Sequence, residues 1–397
     1  MTPSSNRSLW ILSTAQFFAV SGSIIFFIFG GIIGADLAPR ASLSTVPLAL
    51  AVIGTALTSL PAALIMQGIG RRRAFMVSAL LASLAALFCS YSIAHHNFAG
   101  FCIAALLFGF NMAFVQQYRF AAIELVAPGH TTRAVTSIMI ATLVAVVVWP
   151  ELGGRVRFAG NLPEFSATFV LVAVLYWIAI AILSALPAMT IVKHEQKQSA
   201  HTIWQAISNP NIKVAILAGI SSFAVMSFIM VATPISMHKL DAMSVEQTKQ
   251  VISLHLIGMY LPSLISGWLI RTLGHLWLML LGVICMAACV IMSVLIGHHF
   301  MHYLSGLLLL GIGWNFLFVS GTTLLATSYS NEDRFKVQGF NDLAVFGTQA
   351  LVSMASGPVV LMMGWEQLNL LTVPILLLMI AGIGWLWWRR QLEANAA

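Results

Sequence analysis

Residues 111–124 read NMAFVQQYRFAAIE, and they place six polar side chains inside a long apolar run: Asn111, Gln116, Gln117, Tyr118, Arg119 and Glu124. At 100° per residue, Met112, Gln116 and Arg119 share one helix face, with Asn111, Val115 and Tyr118 close beside it. A guanidinium stays protonated and needs an anionic or carbonyl partner when it leaves water. Arg119 therefore reads as a binding group for a solute carboxylate or other anion, or as the partner of a protein carboxylate such as Asp342 or Glu124. The alternative is a side chain that snorkels to the headgroups, because Arg119 lies about five residues, roughly 8 Å along a helix, from the end of its run. Asp342, in QGFNDLAVFGTQ, is a carboxylate that could load and release a proton, with Glu124 and His255 as further proton-coupling candidates. The competing reading for Asp342 is a cap or ion pair near the interface, with Arg334 or Lys336. Trp314, beside Asn315, could stack on a flat substrate or simply pack in the core.

Other chemistries find little support. Cys89, Cys102, Cys285 and Cys289 all sit in apolar runs and read as small buried hydrophobes. His95, His96, His298, His299 and His302 gather at the ends of two runs without a carboxylate, so neither metal nor cofactor is expected. There is no phosphate-binding G-x-x-x-x-G-K-[ST] loop and no nucleophile–base set, so neither ATP-driven pumping nor enzyme catalysis is expected.

The elements that must position these residues follow from composition. The chain is 59% hydrophobic and 8% charged, far below the roughly 25% charge of a soluble domain. Apolar runs of about 20 residues recur throughout, each able to cross a bilayer as a helix whose backbone groups are satisfied internally. An all-α integral membrane protein with twelve spans is predicted. The spans lie near 9–35, 43–67, 74–95, 99–124, 134–156 and 166–191, then 213–236, 248–270, 275–297, 301–327, 337–363 and 367–388. The first is longer than the apolar core of a cleaved signal peptide.

The stretch GFNMAFV at 109–115 returns as GWNFLFV at 313–319, an offset of 204 positions. The same offset relates Gly70 to Gly274 and His95 to His299. The chain is thus predicted to be a duplicated six-helix unit: 1–191, a polar linker 192–212 carrying the amphipathic piece HTIWQAI, and 213–397. Six is even, so the two halves enter the membrane the same way round, a parallel repeat of the kind known in transporters. The net charge of +7 is placed by topology rather than by a nucleic-acid partner. Arg71, Arg72, Arg73, Arg133, Arg389 and Arg390 fall on one side, and Arg40, Arg155 and Arg157 on the other. The positive-inside rule then puts both termini in the cytoplasm.

With twelve spans in a 6+6 layout, the whole chain resembles a major facilitator superfamily transporter. The family's link between spans two and three, similar to G-x-L-A-D-R-x-G-R-R, corresponds to ALIMQGIGRRR at 63–73. Gly70, Arg71 and Arg72 match, whereas Gln67 replaces the Asp and Ala63 the Gly. GWLIRTLGH at 267–275 keeps Gly267 and Gly274 but has Arg271 at the Asp position. The resemblance implies a gating role for Gln67, Gly70, Arg71, Arg72 and Gly274, in a latch altered by the missing carboxylate. WPELGG at 149–154 resembles the end of a motif of drug–proton antiporters, with Trp149 in place of its first Gly.

What the resemblance implies is a proton-coupled secondary transporter of a small organic solute, anionic or zwitterionic to suit Arg119, working by alternating access. The implied substrate-binding set is Arg119, Gln116, Asn111, Tyr118, Trp314 and Asn315. A multidrug–proton antiporter and a transporter-like membrane sensor are the alternatives. The expected partners are the solute, protons and the bilayer, with no nucleic acid. The implied setting is a monomer in a bacterial inner membrane.

Overall fold

The computed structural model describes residues 3–40, 43, 46–187, 202–295, 297 and 299–396. Residues 188–201, with the first ten of the polar linker, and His298 lie outside the described residues. No strand occurs among the described residues; the chain is a succession of α-helices. The first series is α1 (Pro3–Ala19), α2 (Ser21–Leu37), α3 (Val46–Ile69), α4 (Arg71–Ala94), α5 (Phe98–Gln116), α6 (Tyr118–Glu124), α7 (Thr131–Arg155) and α8 (Ser166–Ser184). A short α9 (Ile203–Ala206) precedes the second series. This is α10 (Pro210–Ile235), α11 (Val245–Tyr260), α12 (Ser263–Leu273), α13 (His275–Leu295), α14 (Phe300–Ala326), α15 (Arg334–Met363), α16 (Trp365–Leu370) and α17 (Val373–Ala396).

Among the described residues, eleven helical stretches are long and apolar enough to cross a membrane, and α11 and α12 together pass the same test across a 41° bend. Counted with that bent pair as one span, the candidates number the expected twelve. Several are broken where the sequence reads as continuous: α1 from α2 at Val20, α5 from α6 at Gln117, and α11 from α12 at Leu261–Pro262. At the last of these, the pyrrolidine ring removes a backbone donor and bends the path.

The chain divides into two compact units. The first comprises Met1–His130, Ser137–Ala200 and Arg334–Gly347; the second comprises Thr131–Thr136, His201–Asp333 and Thr348–Ala397. The unit borders thus differ from the sequence halves in two places. The first six residues of α7 pack with the second unit, and the first fourteen of α15 pack with the first.

Within the first unit, α3 and α5 touch backbone to backbone. A Cβ on Gly54 would lie 2.5 Å from the carbonyl oxygen of Leu106, and one on Gly109 would run into that of Ala51. Phe26 packs beside Phe101 and Phe108 at centroid distances of 5.4 and 5.5 Å. The second unit repeats the crossing between α11 and α14. There a Cβ on Gly258 would meet Leu308 O at 2.9 Å, and one on Gly311 would meet His255 O at 2.5 Å.

These contacts correct the register read from sequence. Gly54 and Gly258 stand 204 positions apart, but their carbonyl partners Leu106 and Leu308 are separated by 202. The helix N-caps agree: Asn97 caps α5 and His299 caps α14. The link from third to fourth span is two residues shorter in the second half. Asn111 therefore corresponds to Gly313, not to Asn315. Two residues are about 200° of helix, so the two asparagines face nearly opposite ways. Elsewhere the offset of 204 holds, since Gly70 and Gly274 share one conformation, φ 84° and ψ 151° against φ 85° and ψ 167°.

Candidate functional site

The break between α5 and α6 gathers the polar side chains of the first unit. Gln117 ends one helix and its backbone N–H bonds Phe114 O, a tighter turn than the α-helix makes. Its side-chain amide then bridges two ion pairs. Gln117 Nε2 donates to Asp342 Oδ2 at 2.7 Å, and Gln117 Oε1 accepts from Arg71 Nη1 at 3.2 Å.

On one side of that bridge, Arg119 Nη2 meets Asp342 Oδ1 at 2.6 Å, with both side chains 1% exposed. Asn341 Nδ2 donates to the same oxygen at 2.9 Å. The carboxylate thus accepts from a guanidinium and two amides, which is the satisfaction that a buried charge pair requires. Gln116 Oε1 lies 3.4 Å from Arg119 Nη1, and the guanidinium rests over the Phe120 ring.

On the other side, Arg71 clasps Glu124 with both arms of its fork, Nη2 to Oε1 at 2.6 Å and Nε to Oε2 at 2.9 Å. Such bidentate pairs are the strong ones. Arg71 Nη2 also donates to Gln338 Oε1 at 2.7 Å, and Arg334 Nη1 stands 3.7 Å from Glu124 Oε2. Both Arg71 and Arg334 lie over the ring of Phe335. One continuous network therefore joins α4, α5, α6 and the first part of α15.

The remaining candidates lie apart from this network. Asn111 donates to the Tyr176 hydroxyl at 3.2 Å, tying α5 to α8. Tyr118 is buried against Phe75. Gln67 is exposed on α3, while Arg72 holds the Ser184 carbonyl oxygen at 2.7 Å. Gly70 and Gly274 take positive φ at the turns before α4 and α13.

In the second unit, Asn315 donates to Met259 O at 2.7 Å and to Ser263 Oγ at 2.6 Å, and accepts from Ser266 Oγ at 2.8 Å. It stitches the bend between α11 and α12, where backbone groups would otherwise face an apolar medium unpaired. His255 Nδ1 lies 2.8 Å from Leu307 O; a carbonyl can only accept, so this nitrogen carries the proton. Its Nε2 is buried with no partner among the described residues. Trp314 stacks on Phe318 at 4.8 Å and meets Phe223 and Tyr260 edge-on. Its indole N–H is likewise buried without a hydrogen-bond acceptor among the described residues. No cluster of three or more His, Cys, Asp or Glu that could hold a metal ion occurs among them.

Sequence reasoning offered Asp342 or Glu124 as an alternative partner of Arg119 and gave Arg71 a separate gating role; the structure pairs Arg119 with Asp342 and Arg71 with Glu124, and joins all four in one network. It missed Gln117, Gln338 and Asn341 as connectors. The doublet Gln116–Gln117 was the available signal, but only the helix break shows which of the two points inward.

The sequence profile of the Major Facilitator Superfamily matches residues 11–240 and 214–396. The chain belongs to the major facilitator superfamily. Among curated relatives of this superfamily, the riboflavin transporter RfnT of Brucella anthropi is 33% identical over 378 residues, 94% of both chains. The uncharacterized MFS-type transporter YddS of Bacillus subtilis is 27% identical over 98% of this chain and 92% of its own. Solved superfamily folds are similar throughout. A bacterial homologue of the iron transporter ferroportin, in an outward-facing state, gives a TM-score of 0.75 at 14% identity, covering 95% of this chain and 98% of that one. The human organic anion transporter MFSD10 gives 0.77 at 12% identity, covering 96% and 100%. The protein is thus an integral membrane transporter of this superfamily, a class of transporters rather than enzymes.

Proposed function

We propose that this transporter carries a small, flat, uncharged heteroaromatic solute, with riboflavin the first to test, and that Asp342 carries the coupling proton. The observation that carries the substrate reading is Trp314. A large aromatic side chain sits among three further rings with its only polar hydrogen unanswered among the described residues. An isoalloxazine ring offers both a face to stack and carbonyl oxygens to accept that hydrogen. The full-length likeness to a riboflavin transporter supports the same solute.

The charge of Arg119 favours a neutral solute over the anionic one expected from the sequence. Its guanidinium is already answered by Asp342, and a solute carboxylate would have to displace that partner.

Coupling follows from the hydrogen-bond count at Asp342. An ionised carboxylate accepts from Arg119, Gln117 and Asn341 together. A protonated one gives up an acceptor site and the charge that holds Arg119. Protonation therefore loosens the first part of α15 from α5 and α6, and biases a two-state equilibrium in the way alternating access requires.

The test uses purified protein in liposomes, with riboflavin followed by its fluorescence and protons by a trapped pH dye. The wild type should accumulate riboflavin under an imposed pH gradient and move protons when riboflavin is added. Asp342→Asn should exchange riboflavin across the membrane but fail to accumulate it, and Trp314→Phe should raise the half-saturating concentration. Proton movement with carboxylates and none with flavins would overturn the substrate reading. Unimpaired accumulation by Asp342→Asn would overturn the coupling role and turn attention to His255.

A further inference from the structure

A second site lies at one rim of the second unit, where α10 begins, α13 begins and α17 ends. Two clefts adjoin there and share one residue, Arg390. The first, of about 390 Å³, is lined by Asn209, Asn211, Arg389, Arg390 and Glu393 among others. The second, of about 300 Å³, is walled by Leu273, Leu276, Trp277 and Trp387 before it reaches Arg390.

The two clefts differ in chemistry. In the polar one, Arg390 is held in place by a 2.8 Å hydrogen bond to Asn211 Oδ1, and Arg389 lies over the ring of Trp385. Glu393 is the one carboxylate there, and no ion pair joins it to either arginine among the described residues. The apolar cleft is bounded by Trp277 and Trp387, packed edge to face at 5.0 Å. Half-exposed tryptophans with adjacent arginines mark the level of lipid headgroups.

We propose that this paired cleft binds an anionic phospholipid. Arg389 and Arg390 take the headgroup phosphate, which guanidinium groups bind through paired N–H donors. One acyl chain lies along the trough of Leu273, Leu276, Trp277 and Trp387. Basic pockets between transmembrane helices select anionic lipids in this way. Charge complementarity and the continuity of a polar with an apolar cleft through Arg390 distinguish the site from two arginines that merely snorkel to water.

The full-length protein can be exchanged into phosphatidylcholine and examined by native mass spectrometry and thermal unfolding during titration with phosphatidylglycerol. Phosphatidylglycerol should remain bound and raise the melting temperature, while extra phosphatidylcholine does neither. Arg389→Gln with Arg390→Gln should weaken phosphatidylglycerol binding about tenfold or more. Trp277→Ala should weaken long-chain phosphatidylglycerol while sparing a short-chain analogue. Equal shifts with phosphatidylcholine, or undiminished binding by the double glutamine variant, would overturn the proposal. So would a full shift with inorganic phosphate alone, which would make this a free-anion site. If the glutamine variant does not fold, the contrast between the two lipids on the wild type decides, and Arg389→Lys with Arg390→Lys should retain part of the preference.

Discussion

Gln117 connects two charge pairs that would otherwise be independent. Its amide completes the coordination of Asp342 and holds one arm of Arg71. Gln117→Leu leaves both of those charged groups short of a hydrogen bond, and bonds to charged groups contribute about 1.5–3 kcal/mol each. Arg119→Ala is more damaging, because it strands a buried carboxylate; such losses run to about 3–5 kcal/mol. Replacing both members, Arg119→Met with Asp342→Asn, removes the stranded charge and should recover much of that loss. Thermal unfolding in detergent of Arg119→Met, Asp342→Asn and the double variant forms a cycle that measures the coupling. Additive effects would mean that the two side chains do not depend on each other. Recovery of stability without recovery of proton-driven accumulation would separate the structural role of the pair from its proposed coupling role.

At the scale of the helix, two polar residues that look alike in sequence do different work. Asn111 links α5 to α8 through one bond to Tyr176, whereas Asn315 closes the break between α11 and α12 through three bonds. Asn315→Leu should therefore lower stability more than Asn111→Leu, by about 1–3 kcal/mol for the groups left unpaired. The comparison is read from their melting curves, and equal losses would contradict it. Gly109→Ala tests the crossing on the other side of the same helix. Its Cβ collides with backbone at Ala51, which no rotamer change relieves, and overpacking of this kind costs about 1–3 kcal/mol. Most helix positions were legible from the sequence, because length and hydropathy alone decide what can span a bilayer. Gln117 and Leu261–Pro262 were not. A break of one or two residues leaves hydropathy unchanged, and only the hydrogen bonds that repair it give it away. The register of the repeat was misread for a related reason. The resemblance of GFNMAFV to GWNFLFV outweighed a two-residue difference in the preceding link, which the backbone contacts of Gly54 and Gly258 and the N-caps Asn97 and His299 expose.

At the scale of the whole molecule, the arrangement of basic residues predicts orientation. Arg73 follows the link from second to third span and Arg271 precedes the same link in the second series, while Arg157 follows the fifth span. With six spans in each series, the two links are expected to face the same side, and the positive-inside rule predicts that side to be cytoplasmic. Cys89, Cys102, Cys285 and Cys289 lie within membrane-spanning helices, so their replacement provides a background free of native thiols. In that background, Arg157→Cys should react with a membrane-impermeant maleimide on intact cells. Arg73→Cys and Arg271→Cys should react only after the membrane is opened. Labelling of Arg73→Cys alone from outside would point to an inverted rather than a parallel repeat, since an odd number of crossings would then separate the two links. Labelling of both from outside would reverse the orientation and place the Arg389–Arg390 cleft in the opposite leaflet. The headgroup selectivity proposed for that cleft would be unchanged, because it depends on the two arginines and their apolar trough rather than on the face of the membrane to which they belong.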